Sequence, residues 1–222
     1  MQGAKKRREI AHKVASCARS KYGELKRRKV RPALDQLVLS LMCCYTSTRR
    51  ATRALRQLQR AFVDWNEVRI SPTLEVARAM ASTEWADQSA ERIRAVLQSL
   101  FEARNVVDLE FLSELTIPQA RVFLQSLPGV GRDVADEVLL FSLAAEVLPL
   151  SAEAARVCHR MGLIPTDRAT RANQKALMGY WEPDLYPALA LYFGDEAKNT
   201  CREDKPRCSR CGAKSVCPKE AL

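Results

Sequence analysis

LQSLPGVGRDVADEVLLF, Leu124 to Phe141, decides how the rest of this 222-residue chain is read. One helix runs to its end there, and Pro128, Gly129, Val130 and Gly131 then make a tight turn. Val134, Val138 and Phe141 return at helical spacing on one face of a second helix. Two glycines around one apolar residue permit positive φ and the close approach of another backbone. The second helix starts near Arg132 with its first amides unpaired, a setting that suits a phosphate. Gly-rich turns between helices also exist simply to close a corner.

The LPGVG hairpin followed by a helix start resembles the helix-hairpin-helix of the endonuclease III superfamily of DNA glycosylases. The resemblance implies that the amides near Leu127, Gly129, Val130 and Gly131, with Arg132 beside them, hold a DNA phosphate next to a flipped nucleotide.

Composition points the same way. The chain carries 36 Lys and Arg against 26 Asp and Glu, a net charge of +10, which favours a polyanionic partner, although a merely basic surface also serves solubility. Only 8 glycines and an abundance of Ala, Leu, Arg and Glu at helical spacing predict an all-α protein. No apolar run is long enough for a bilayer, and MQGAKKRREI lacks the apolar core of a secretory signal. The expected location is cytoplasmic, or nuclear in a eukaryote, and the expected state is a monomer on double-stranded, damaged DNA.

Along the chain, Ala11, Val14, Ala15 and Ala18 form one face of an amphipathic helix, followed by the basic run KRRKVR ending at Arg31. Pro32 suits the first turn of a helix whose core stripe is Leu34, Leu37, Val38 and Leu41. Thr46, Ser47 or Thr48 caps the next, which carries Arg49, Arg50, Arg53 and Arg56. Further starts are read at Ser71-Pro72, at Thr83 or Asp87, at Asp108 and at Thr116-Ile117-Pro118. Cys17, Cys43, Cys44 and Cys158 are expected to be small buried residues.

In the resembling family the bend before the third helix carries a glutamine that enters the gap left by the flipped nucleotide. Met42 stands at that position here. Methionine has no amide to replace the lost base-pair hydrogen bonds, but it can wedge into the stack, with Tyr45 stacking nearby. The alternative is that Met42, Cys44 and Tyr45 pack under the bend.

The family's catalytic residues are a lysine directly after GVGR and an aspartate further on. Asp133 and Ser151 occupy these positions. Without an amine at 133 the Schiff-base lyase route has no nucleophile there, and Ser151 cannot place a negative charge beside a sugar cation. Asp133 is the candidate catalytic carboxylate, although a helix first turn favours an acid for electrostatic reasons alone. Asp136, Glu137 and Glu153 are weaker candidates, Glu153 because it lies two residues from Ser151. Arg156 and Arg160 are expected to be exposed.

Cys201, Cys208, Cys211 and Cys217 are spaced C-x6-C-x2-C-x5-C. Four thiolates this close in sequence can surround one metal centre, and a structural zinc is one reading. Zinc sites usually pair their cysteines as two close knuckles, and only one such pair exists here. The spacing, with Lys205-Pro206-Arg207 before the second cysteine, is similar to the iron-sulfur loop of endonuclease III and the adenine mismatch glycosylases. That resemblance implies a [4Fe-4S] cluster, with Lys205, Arg207, Arg210 and Lys214 forming a basic surface for phosphates or bracing the loop.

Taken together, the resemblance implies two lobes. One is a helical barrel over residues 32–147 with the helix-hairpin-helix, and the other combines 1–31 with 148–222 and the iron-sulfur loop. The function it implies is a base-excision-repair glycosylase with an altered active site. A non-catalytic protein that binds damaged or branched DNA is the alternative, and a cluster acting as a redox sensor is a third, weaker reading.

Overall fold

The computed structural model describes residues 2–23, 25, 31–80 and 85–219. The basic run at 26–30 and the Thr83 cap lie outside the described residues. Among them, every regular element is helical. In chain order the α-helices are α1 (Gln2–Tyr22), α2 (Ala33–Cys43), α3 (Thr48–Ala61), α4 (Trp65–Ile70), α5 (Thr73–Ala79) and α6 (Ala86–Arg104). They continue with α7 (Ile117–Ser126), α8 (Arg132–Leu143), α9 (Ala152–Arg160), α10 (Arg171–Met178) and α11 (Tyr186–Asn199). Short 3-10 turns at Glu110–Glu114, Pro183–Leu185 and Cys208–Arg210 complete the list.

The chain forms two compact units, Lys29–Ala144 and Met1–Arg28 with Ala145–Leu222. The boundaries at 32 and 147 drawn from the sequence fall three residues later than these.

In the first of these units α2 is the central helix. Leu34, Leu37, Val38, Leu39, Leu41 and Met42 are all buried, so it is apolar nearly all round, as an enclosed helix must be. It packs against α8, α3 and α6. Helix α7 begins with a capping box: the Thr116 hydroxyl accepts from the Gln119 amide, and the Gln119 side chain accepts from the Thr116 amide at 3.0 Å. Asp64 caps α4 singly, its carboxylate accepting from the Glu67 amide at 2.7 Å.

In the other unit the predicted α1 stripe is the buried one. Ile10, Ala11, Val14, Ala15 and Ala18 face inward, and α1 packs on α11. The Trp181 indole donates to the Ala11 carbonyl at 3.0 Å, which satisfies a buried donor. Helix α11 runs to Asn199 with Gly194 inside it. Helical φ and ψ are open to glycine, and the buried Tyr192, Phe193 and Ala197 hold the helix on both sides of it.

Candidate nucleic-acid interface and cysteine centre

The hairpin is built from the core outward. Leu127 and Val130 are buried and anchor its two ends, while Pro128 and Gly129 are exposed between them. The Val130 amide donates to the Leu127 carbonyl at 3.2 Å, with Pro128 second and Gly129 third in the turn. Gly129 has φ +70°, as a type II turn requires at that place. Gly131 has an ordinary φ of −73° and serves differently. A Cβ there would lie 2.7 Å from an Asp133 carboxylate oxygen, so its bareness makes room for that carboxylate.

This geometry corrects the expected set of phosphate-binding amides. The Leu127 amide donates to Leu124 at 3.2 Å and the Val130 amide to Leu127, so both are used inside the hairpin. Among the described residues, the Gly129 and Gly131 amides have no internal acceptor. The first backbone bond of α8 is from Ala135 to the Gly131 carbonyl at 3.0 Å. Asp133 lies in the first helical turn, half-buried, where the aligned peptide dipoles favour an anion.

Arg132 and Asp136 take structural positions. Asp136 is fully buried and binds Arg121 Nε at 2.7 Å, with Arg132 Nε 3.7 Å away one turn back. A buried carboxylate needs such partners, so Asp136 is committed to the fold. Glu137 is half-buried on α8.

At the bend between α2 and α3 the two candidates separate. Met42 is fully buried with the core face of α2 and is not a surface group, which corrects its expected place against DNA. Tyr45 is 42% exposed. Beside it stands Arg92, which sequence reading missed: its guanidinium lies 5.9 Å from the Tyr45 ring centroid and 3.5 Å from the hydroxyl. The same guanidinium donates to the Gly129 carbonyl, and a Cβ on Gly129 would meet Arg92 Nε at 2.9 Å. Arg92 therefore ties Tyr45 to the hairpin. Nothing in its surroundings in the sequence, SAERIRAV, marks it out, because the tie is tertiary.

Ser151 is the N-cap of α9, its hydroxyl accepting from the Ala154 amide at 3.1 Å. Glu153 is exposed in the first turn of that helix.

The four C-terminal cysteines line one cavity together with Arg160, Met161, Thr200, Lys214 and Lys219. None is in a disulfide. Burial pushes the Cys211 thiol up to about 11, against a lowering hydrogen bond from Ala213, and burial likewise raises Cys217. No three His, Cys, Asp or Glu among the described residues are gathered as a site for a single metal ion. Lys205, Arg207 and Arg210 are exposed on the loop.

Two arginines of α9 hold this loop, contrary to their expected exposure. Arg160 is buried at 8% exposure and donates to the carbonyls of Arg202 at 2.7 Å and Glu203 at 3.0 Å, with Cys201 Sγ at 3.8 Å. Arg156 donates to the carbonyls of Ala197 and Cys201, both at 3.2 Å. Helical periodicity places them on a polar face, and that face is covered by backbone carbonyls of the end of α11 and of the loop, which accept their hydrogen bonds. Cys158 is buried as expected, but Cys17 and Cys43 are half-buried and Cys44 is exposed.

Comparison with known proteins bears on these features. No family model matches the chain. It is 26% identical to DNA glycosylase/AP lyase ROS1 of Arabidopsis thaliana over 197 residues, 78% of this chain and 14% of that protein. It is 29% identical to endonuclease III of Escherichia coli K12 over 104 residues, 46% of this chain and 47% of that enzyme. The fold matches that of a non-covalent endonuclease III–DNA complex with a TM-score of 0.71 at 15% identity, over 96% of this chain and 95% of the other.

The chain has the endonuclease III-like helix-hairpin-helix fold. A thermostable thymine-DNA glycosylase matches equally, with a TM-score of 0.71 at 16% identity over 97% of both chains. In this fold the hairpin is Leu127 to Gly131, and the loop of four cysteines follows α11. The chain spans about a seventh of the plant relative's length. Among the described residues, no helix is long and apolar enough to cross a membrane.

Proposed function

We propose that this chain is a base-excision glycosylase that binds damaged duplex DNA through the Leu127–Gly131 hairpin and removes a base without lysine-dependent strand cutting. The observation that carries it is the arrangement at the start of α8. The outward amides of Gly129 and Gly131 stand beside a carboxylate, Asp133, lodged over Gly131. Amides at a helix start suit a DNA phosphate, and a carboxylate nearby stabilises the cation-like sugar formed as the glycosidic bond breaks. Water supplies the hydroxyl that completes the sugar, and the base leaves with the bonding electrons and takes up a proton. Asp133 would hold the charge or orient that water. Tyr45, tethered by Arg92, would stack in the gap of the flipped nucleotide in place of the buried Met42.

The donor set at the C-terminus fits an iron-sulfur group. Four cysteines outside any disulfide share one cavity, and burial raises the thiol pKa of Cys211 and Cys217, a cost that a bound cationic centre would offset. Cys201, Cys208, Cys211 and Cys217 would hold a [4Fe-4S] cluster, whose iron-thiolate bonds cross-link the loop when bound. Lys205, Arg207 and Arg210, exposed on it, would meet phosphates.

One observation favours a second reading, damaged-DNA binding without catalysis. Ser151, at the aspartate position, is occupied as a helix cap. The deciding assay is single-turnover base release by cluster-loaded protein on duplexes carrying oxidised pyrimidines, uracil, alkylated purines, mismatches and abasic sites. Base release with the strand intact, abolished in Asp133→Ala at unchanged affinity, is expected. Tight lesion-dependent binding with no release on any duplex would instead establish the binding reading.

A further inference from the structure

We infer that α3 carries a second phosphate-binding surface, a stripe of four arginines that follows the backbone of duplex DNA away from the hairpin. The inference rests on the DNA-binding reading above but uses residues that reading leaves idle. Helix α3 has five arginines and no acidic residue in its 14 positions. Arg49, Arg53, Arg56 and Arg60 recur at spacings of four, three and four, which keeps them on one face. All four are exposed, and among the described residues none makes a side-chain hydrogen bond or ion pair. A solvated helix usually interleaves both signs so that neighbours offset one another. Here four like charges stand together with no acid on the same helix, and the pKa of the Arg31 guanidinium, lowered chiefly by burial, is lowered further by Arg56.

The chemistry narrows the partner. The opposite face of α3, Ala51, Ala54, Leu55 and Leu58, is buried in its unit, so the helix has no apolar side to lay into a membrane. The stripe contains arginine and no lysine, the choice suited to bidentate contact with phosphate. From residue 49 to residue 60 an α-helix rises about 16 Å. That length matches about five phosphates along one strand at 3.4 Å each. Position also fits, since α3 starts three residues after Tyr45, which Arg92 joins to the hairpin.

The test is the salt dependence of duplex binding by the full cluster-loaded chain, measured by fluorescence anisotropy between 50 and 200 mM KCl. Each phosphate contact contributes about 0.9 to the slope of log affinity against log salt. The R49Q/R53Q/R56Q/R60Q variant should therefore bind with a slope shallower by about three to four, and lose about 10²-fold less affinity than wild type across that range. Single substitutions R53Q and R56Q should each shift the slope by about one, which keeps the test open if the quadruple variant folds poorly. Replacing all four by lysine should preserve the slope. An unchanged slope in the glutamine variants, with wild type binding normally, overturns the stripe and leaves the hairpin reading standing. Failure of wild type to bind any duplex overturns both.

Discussion

Replacing each hairpin glycine by alanine separates two reasons for glycine that the sequence cannot tell apart. Gly129 has φ +70°, a conformation that costs an L-residue about 1–2 kcal/mol. Its new methyl would also meet Arg92 Nε at 2.9 Å, a side chain that can give way. For a chain of this size each kcal/mol moves Tm by about 2–4 °C, so Gly129→Ala should lower Tm by about 2–8 °C and weaken duplex binding as the turn distorts. Gly131, at φ −73°, has no backbone reason to resist. Alanine there loses less chain entropy on folding, worth about 0.4–1 kcal/mol, so Tm should hold or rise slightly. Its cost falls on Asp133, whose carboxylate must retreat from 2.7 Å to the 3.4 Å of ordinary contact. A displacement on that scale can slow a positioned reaction by up to about 10²-fold. Thermal melts and single-turnover base release on both variants check this. Equal losses of Tm in the two, or full base release by Gly131→Ala, would refute the division of roles.

Further outcomes follow from individual contacts. Gly194→Ala should raise stability by about 0.5–1 kcal/mol, because the residue is inside α11 and a methyl there meets nothing within 4 Å. Arg160→Met should weaken cluster retention, read as faster bleaching of iron-sulfur absorbance, since two loop carbonyls lose a charged donor worth about 1.5–3 kcal/mol each at most. Gly212→Ala should act on the same readout, because its methyl would lie 2.8 Å from Cys17 Sγ. In maleimide labelling of the native chain, Cys44 should react early and Cys158, buried with its thiol pKa raised by that burial, only after unfolding.

Local features were readable because local chemistry sets them. The α1 stripe, the Thr116 cap and the turn at Gly129 follow from periodicity, hydrogen-bonding side chains and φ preference within a few residues. Tertiary acceptors were not. Arg156 and Arg160 look like a solvated face until a loop more than 35 residues away covers them with carbonyls. Met42 occupies the position that a family comparison assigns to DNA, but its own helix places it on the buried face, and no local pattern reveals Arg92 as its neighbour's tether. Gly131 was credited with freedom of φ, when its use is steric.

The grip of Arg156 and Arg160 on the cysteine loop carries a consequence for how that loop can vary. Both guanidiniums hold main-chain oxygens at 197, 201, 202 and 203, and neither depends on the side chains at 202 or 203 for these bonds. Substitution at those two positions leaves the oxygens in place. Insertion or deletion of a single residue just after α11 moves the oxygens at 201, 202 and 203 out of register with α9. Position 202 is thus tolerant in composition and position 203 nearly so, its exposed carboxylate adding only a 4.0 Å ion pair to Arg156, while the segment that carries Cys201 is strict in length.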